Sequence, residues 1–498
     1  MSHSARSRVL VVTHEPLRQN LSGPGIRALE MGRALSERHA VTVATPFPPE
    51  ITDARCTFAG YSVDRPASMY TLAEQADVVV LQGYTLANFP LLATLNVPLV
   101  VDLYCPFTIE HLEMLTSRPD QTDGDIQAGD AAVSNVLAVQ NMQLAVGDFF
   151  ICASERQRDF WLGGLQTANR INLRTYRADP TLRTLIDVVP FGLPEGLQDH
   201  QPDGRMPQGA EANVLKGVRP GFHADDHVLL WGGSILDWQD PQTLVRAVAS
   251  LAARRDDVKL FFMGTRHPNP QVAPMRAVPE TIALARELGV LDTQVFFNDW
   301  VPYADRWRYL KEADLGCSTH RQHLETRLSF RTRMLDYVWA GLPIVCSDGD
   351  VFASLVAERG LGIVVPPGDV DALATGIERL LDDKDERMRC RERLLETAVE
   401  FRWRQVVAPL ARFCDAPRFA ADRQFARSSR AWTRRRFRLT NWAKRTILST
   451  GISRRRIEQL KRFPPVRLLM NWHYRALFSQ STQTERRADG GGSSGRSS

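Results

Sequence analysis

Three stretches of this chain combine residue types able to handle a charged or hydroxyl-rich ligand. The densest is His320-Arg-Gln-His-Leu-Glu-Thr-Arg-Leu-Ser-Phe-Arg-Thr-Arg-Met-Leu-Asp336. Arg327, Arg331 and Arg333 fall at or near the start of a predicted helix. Ser329 is its expected N-cap, and Phe330, Met334, Tyr337 and Val338 form its buried face. Arginines at that end oppose the helix dipole, and an anion held between them resolves the conflict. A surface ion pair between Arg333 and Asp336 is the plainer alternative. His320 and His323 lack further partners at ligand spacing, so they read as satisfied loop histidines and no metal site is expected.

The second stretch, Trp231-Gly-Gly-Ser-Ile-Leu-Asp-Trp-Gln-Asp240, puts Gly233 and Ser234 at the end of a predicted strand, where open α/β sheets bind ligands. The third, Ser22-Gly-Pro-Gly25, follows the first strand and opens a helix. Gly23 and Gly25 allow close backbone approach, and the helix start offers N–H groups. Glycines in either loop serve a plain βα turn equally well. Ser154 reads as the N-cap of another helix, whose Arg156 and Arg158 face either the cleft or solvent.

The elements that must position these loops are short β-branched runs alternating with amphipathic helices. Val9–Thr13, Val41–Ala44, Val78–Leu81, Leu99–Asp102 and Phe149–Ala153 read as buried parallel strands. A second series follows: Val228–Trp231, Lys259–Met263, Val295–Phe297, Leu315–Ser318, Ile344–Ser347 and Ile363–Val365. The fold class is therefore α/β, with two Rossmann-like doubly wound domains facing a central cleft, 1–200 and 226–400. A Gly/Pro-rich linker over 201–225 joins them. A basic, aromatic-rich helical tail over 401–487 and a Gly/Ser terminus over 488–498, expected to be disordered, complete the chain.

The 498 residues are 44% hydrophobic and 24% charged, a globular balance that excludes a mainly disordered or fibrous chain. No apolar run is long enough to span a bilayer, and Val9–Val12 is too short for a signal-peptide core. A cytoplasmic protein is expected. The seven scattered cysteines, without a Cys-x-x-Cys pair, suit that compartment.

Charge divides the chain. Residues 401–498 hold 23 Lys+Arg against 5 Asp+Glu, whereas the first 400 hold 39 against 52. Arg430–Leu448 fits a cationic amphipathic helix with Trp432, Leu439, Ala443 and Ile447 near one face. That pattern favours an anionic membrane surface, on the inner face of the plasma membrane, over nucleic acid, for which no fold or motif speaks. A solvated accessory tail is the alternative.

The body, about residues 8–410, resembles the retaining glycosyltransferases of family 4, which have the GT-B fold. The resemblance lies in Gly23-Pro-Gly-Ile-Arg-Ala-Leu-Glu-Met-Gly-Arg-Ala-Leu35, Val189-Pro-Phe-Gly-Leu193, Ala340-Gly-Leu-Pro-Ile-Val345 and Val365-Pro-Pro-Gly-Asp369. It implies sugar transfer from a nucleotide-sugar co-substrate to a glycan or lipid-linked acceptor, without a further cofactor or metal. In the family's Glu-x7-Glu signature the second Glu corresponds to Asp336, but Leu328 stands where the first is expected; the nearest upstream carboxylate is Glu325. The family's Arg and Lys for the donor diphosphate correspond here to Ser234 and Gln239.

Without a metal, helix N-termini and cations must meet the leaving diphosphate's charge. Arg327 and Arg331 are expected to take the phosphates, supported by Ser329 and Arg333, with Asp336 on the ribose and Glu325 on the sugar. Asp102, or Glu110 and His111, stand near the place of a family histidine and are expected to orient the acceptor; Asp102 serves equally as a strand-end hydrogen-bonding residue. Two rivals remain at this stage. The missing Glu and cations suit a non-catalytic nucleotide-sugar-binding scaffold, and a GT-B nucleotide-sugar epimerase keeps the fold but has no use for the basic tail.

Overall fold

The computed structural model describes residues 6–118, 121–194, 213–269 and 272–424. The first sheet comprises β1 (Arg8–Val12), β2 (Ala40–Thr45), β3 (Thr57–Gly60), β4 (Val78–Gln82), β5 (Leu99–Asp102), β6 (Phe149–Cys152) and β7 (Ile186–Val188). Their order is β3-β2-β1-β4-β5-β6-β7, and every pairing is parallel. The second sheet comprises β8 (His227–Ser234), β9 (Val258–Gly264), β10 (Val295–Phe297), β11 (Leu315–Ser318), β12 (Ile344–Ser347) and β13 (Gly362–Val365). It is also all parallel, in the order β10-β9-β8-β11-β12-β13.

The apolar runs became strands because helices cover both sheet faces. All five residues of β4 and all seven of β9 are buried. In each sheet the chain starts centrally, winds to one edge, then resumes on the other side of its first strand. That reversal opens a crevice beyond the carboxyl ends of β1 and β4, and another beyond β8 and β11. The glycine loops at 23–25 and 232–233 sit at these two crevices. The periodicity misses β3 and β7, short strands at the edges of the first sheet.

One boundary differs from the sequence reading. Leu193 N–H donates to Phe401 O at 2.7 Å and Trp403 N–H to Leu193 O at 2.9 Å, so the chain returns beside the point where it left the first domain. Helices Trp403–Val406 and Ala408–Asp415 then bury Trp403, Val406, Leu410 and Phe413 in the first domain's core with Val9 and Leu29. These residues, grouped with the tail by their neighbours' charge, are structurally part of the first domain. The chain divides into a unit Met1–Ala421 and a remainder, Asp422–Ser498. The membrane helix read over 430–448, the rest of the tail, the Gly/Ser terminus and the 201–212 part of the linker lie outside the described residues. Among the described residues no helix is long and apolar enough to cross a membrane, and all seven cysteines are free.

Candidate functional site

The two domains enclose a cleft of about 380 Å³. From the first domain it is lined by Gly23, Pro24, Tyr104, Cys105, Glu110 and Phe191, and from the second by Gly233, Ser234, Trp238, Glu325, Arg331, Arg333 and Asp336, among others.

The second-domain wall depends on helix Thr332–Ala340. Met334, Tyr337 and Val338 bury against β8 and β11, and Gly341, at φ 62°, ends the helix in the left-handed conformation that glycine adopts without strain. The Tyr337 ring fills the space over Gly316, where an added Cβ would lie 2.4 Å from the ring. Its hydroxyl accepts the Gly232 N–H at 2.9 Å and lies 2.8 and 2.9 Å from the carbonyls of Leu230 and Cys317. One turn earlier, Arg333 shares that face. Its guanidinium lies over the Trp231 ring at 4.1 Å, and Nη2 donates to Ser234 O at 2.7 Å and Gln239 Oε1 at 3.0 Å. Nη1 is buried without a protein partner among the described residues. Burial lowers the Arg333 pKa to about 10, so it stays cationic at neutral pH.

Arg331 and Glu325 form a bidentate pair at 2.9 and 2.6 Å, nearly sealed from solvent. Asp350 lies 3.9 Å from Arg331 Nε, caps the following helix through the Ala353 N–H, and is pushed up to about 6 by burial. His320, buried beside Arg331 and Arg333, is driven down to about 2, first by desolvation and then by those arginines, and stays neutral. His323 caps helix Leu324–Leu328 by accepting the Thr326 N–H on Nδ1 at 3.2 Å, so its Nε2 carries the proton that meets Trp238 O at 2.9 Å. Asp336 pairs with Arg306 at 3.0 Å, not with Arg333.

Several expectations are corrected. Arg327 is exposed and outside the cleft: helix Leu324–Leu328 turns Glu325 and Leu328 inward, and a residue two positions past Glu325 faces away. Arg331 lines the cleft, but its terminal nitrogens are committed to Glu325. Ser329 ends that short helix and does not start the next one. Its hydroxyl donates to Thr326 O at 3.0 Å, and Arg331 occupies the N-cap position of Thr332–Ala340. Asp102 is fully buried away from the cleft. It accepts from Arg27 Nε and Nη2 at 2.7 and 2.8 Å and from Gln82 Nε2 at 3.0 Å. Arg27 in turn donates to Val189 O and Pro190 O, so this pair anchors the exit from the first domain. His111 donates from Nδ1 to Phe107 O at 2.9 Å and does not line the cleft, whereas Glu110 does. Gly23 borders the cleft with open space around it; Gly25 is buried behind it. Arg156 reaches the second domain at Gly349 O and Ser354 Oγ, and Arg158 donates to Ile186 O at 3.0 Å.

Sequence reasoning passed over Glu15. Its Oε2 accepts from Ser22 Oγ at 2.8 Å and from Asn269 Nδ2 at 3.1 Å, which joins the two domains beside the cleft. A carboxylate three residues beyond the first strand was the available signal. Trp238 and Trp300 also line the cleft, each with an indole N–H lacking a protein partner among the described residues.

Residues 226–383 match the family model described as Glycosyl transferases group 1. The chain is 28% identical over 188 residues to a D-inositol 3-phosphate glycosyltransferase of Corynebacterium glutamicum, a match covering 37% of this chain and 42% of that one. It is 25% identical over 169 residues to a phosphatidyl-myo-inositol mannosyltransferase of Mycolicibacterium smegmatis, covering 34% and 39%. Each match thus spans less than half of the relative's length. Among solved structures, WaaG, a glycosyltransferase involved in lipopolysaccharide biosynthesis, is similar over 82% of this chain and 100% of its own, with 17% identity and a TM-score of 0.55. Anabaena HepE in complex with UDP and glucose is similar over 82% and 99%, with 15% identity and a TM-score of 0.54. The fold is GT-B. The second domain thus matches the group 1 glycosyl transferase model, and the two-domain architecture is shared with the GT-B structures.

Proposed function

We propose that this protein transfers a sugar from a nucleotide-diphosphate donor to a hydroxyl of a glycan or lipid-linked acceptor in surface polysaccharide or glycolipid assembly. One observation carries the reading: a buried cleft-lining arginine, Arg333, beside the Gly233–Ser234 loop, keeps one terminal nitrogen without a protein partner among the described residues. Its other terminal nitrogen contacts Ser234 and Gln239, the two positions that correspond to the family's phosphate-binding cations. The cation has moved from the loop to the facing helix, and Nη1 is the donor left for a diphosphate oxygen. The relatives' printed activities on inositol phosphate and phosphatidyl-myo-inositol, and the UDP and glucose held by HepE, support a nucleotide-sugar donor and a lipid-linked or polyol acceptor.

With Arg333 meeting the leaving group's charge, the reaction is proposed to need no metal or further cofactor, and retention of configuration follows the family. A thermal-shift screen against UDP-, GDP-, dTDP- and CMP-sugars in EDTA tests the donor site, since a ligand that binds only the folded state raises Tm by mass action. A shift with one nucleotide class supports the reading; no shift with any of them opposes it. Attachment to the inner face of the plasma membrane through the basic tail is part of the proposal. Truncation after residue 421 should release the protein from anionic vesicles while donor binding persists, and continued vesicle binding opposes that part.

A second reading, a non-catalytic nucleotide-sugar binder, is favoured by the engagement of Glu325 with Arg331, which leaves that carboxylate committed before any sugar arrives. Nucleotide release from a bound donor distinguishes the two: an enzyme turns over and a scaffold only binds.

A further inference from the structure

The first-domain wall of the cleft holds a carboxylate that the donor chemistry leaves unused. Glu110 stands in the first turn of helix Phe107–Thr116, directly after the loop that leaves β5, and its side chain lines the cleft. That helix packs against Leu324–Leu328 of the other domain, and Glu113, one turn further on, comes within 3.9 Å of His323 Nδ1. Glu110 and the Glu325–Arg331 pair therefore line one cleft from the two domains, close enough for the pair's charges to act on Glu110. Among the described residues its side chain accepts a single, weak hydrogen bond, from Cys105 Sγ at 3.5 Å. It is half-buried, recessed among protein yet open to the cavity.

We propose that Glu110 is the group that takes the proton of the acceptor hydroxyl. This assignment rests on the transferase reading above. In the step, the acceptor oxygen forms a bond to the sugar's anomeric carbon. The bond from that carbon to the donor phosphate oxygen breaks, and its electron pair leaves with the nucleoside diphosphate. The hydroxyl proton passes to a Glu110 carboxylate oxygen. Atoms and charge balance for either stereochemical outcome, because the proton goes to a side chain and not to the leaving group.

The surroundings suit the role. Burial, and then the nearby Glu325 charge, push Glu110 up to about 7, while Arg331 draws it down. Cys105 and Tyr104 beside it are both raised well above their ordinary values, so they stay protonated throughout the neutral range. Glu113 on its own helix and His323 on the packed helix face each other at 3.9 Å. Glu110 is the cleft-lining carboxylate raised into that range, its basic form present above about pH 7. Asp350, behind Arg331, is raised only to about 6, and the Glu110→Gln variant below separates the two.

The acceptor's identity is not needed for a test, because water serves as acceptor when a donor is hydrolysed. The experiment uses the full chain, UDP-glucose as probe, release of UDP as the rate, and calorimetric binding of UDP as a separate readout. For the wild type, kcat/KM for UDP release should rise about tenfold per pH unit below 7 and level off above it. Glu110→Gln should bind UDP within twofold of wild type, lose about 100-fold or more in kcat, and lose the acidic limb. Glu110→Asp should keep the limb at a reduced rate, and Glu113→Gln should match wild type in both.

An unchanged rate and limb in Glu110→Gln overturns the assignment, as does wild-type turnover that is flat from pH 5.5 to 8.5. UDP binding without any wild-type turnover overturns it and favours the scaffold. Absence of binding to UDP and to GDP-, dTDP- and CMP-sugars alike removes the donor reading itself, so the two failures are told apart. Where another class binds, that nucleotide sugar replaces UDP-glucose as the probe.

Discussion

Arg333 and Tyr337 stand one helical turn apart on the buried face of Thr332–Ala340, and the tyrosine fixes where the arginine points. Tyr337 is bound by its hydroxyl to backbone groups of β8 and β11, and by its ring to the space over Gly316. That register lays Arg333 over Trp231 and against the Ser234 carbonyl. Position in the cleft is thus inherited from core packing one turn away.

Tyr337→Phe keeps the ring and removes the hydroxyl, leaving the buried Gly232 N–H without its acceptor. A buried donor left unsatisfied costs about 1–3 kcal/mol. Urea unfolding should show that loss, with a smaller loss in UDP affinity as Arg333 gains freedom. Unchanged stability contradicts the bridging role.

Asp102 holds Arg27 in a fully buried pair, so its effect belongs to stability. Asp102→Ala should cost about 3–5 kcal/mol by stranding the guanidinium. The double variant Arg27→Met with Asp102→Leu should recover part of that cost. Where the single variant folds, its UDP affinity should match wild type. A stable Asp102→Ala protein that binds UDP but has lost turnover returns Asp102 to the chemistry.

Asp350 supplies the pH dependence with a definite sign. Its carboxyl is raised in the folded protein to about 6, from an unfolded value near 3.8, so the folded state binds the proton more tightly. This contribution to stability is complete below about pH 4 and is lost as pH rises through about 6. Asp350→Asn keeps a capping oxygen for the Ala353 N–H and does not ionise. Relative to wild type it should therefore gain stability between pH 4.5 and 7.5, on the order of 1 kcal/mol or more. An advantage that shrinks with rising pH contradicts the assignment.

The fold was legible wherever burial on both faces forced continuous apolar runs, as at Val78–Leu81 and Lys259–Met263. It was not legible at Thr57–Gly60 and Ile186–Val188, whose short edge strands mix polar and apolar residues. Nor could charge averaging find the return of Trp403 to the first domain, because an isolated tryptophan among arginines looks the same in a tail. At the site, loop positions such as Gly233 and Ser234 were readable because glycine and strand-end placement are local signals. Roles among the arginines were not readable. The chain breaks at Ser329–Phe330 between two helices, and that break decides that Arg327 faces solvent, Arg331 meets Glu325 and Arg333 reaches the cleft. Nothing in residue spacing fixes it.

The central claim is that Arg333 supplies the cation for a donor diphosphate. Calorimetric titration of wild type and Arg333→Met with UDP and with uridine tests it most directly. The account predicts that wild type binds UDP at least tenfold more tightly than uridine. Arg333→Met should lose about 10- to 100-fold toward UDP, as expected for a charge-assisted hydrogen bond, with little change toward uridine. A folded Arg333→Met protein that keeps the wild-type preference for UDP would contradict it.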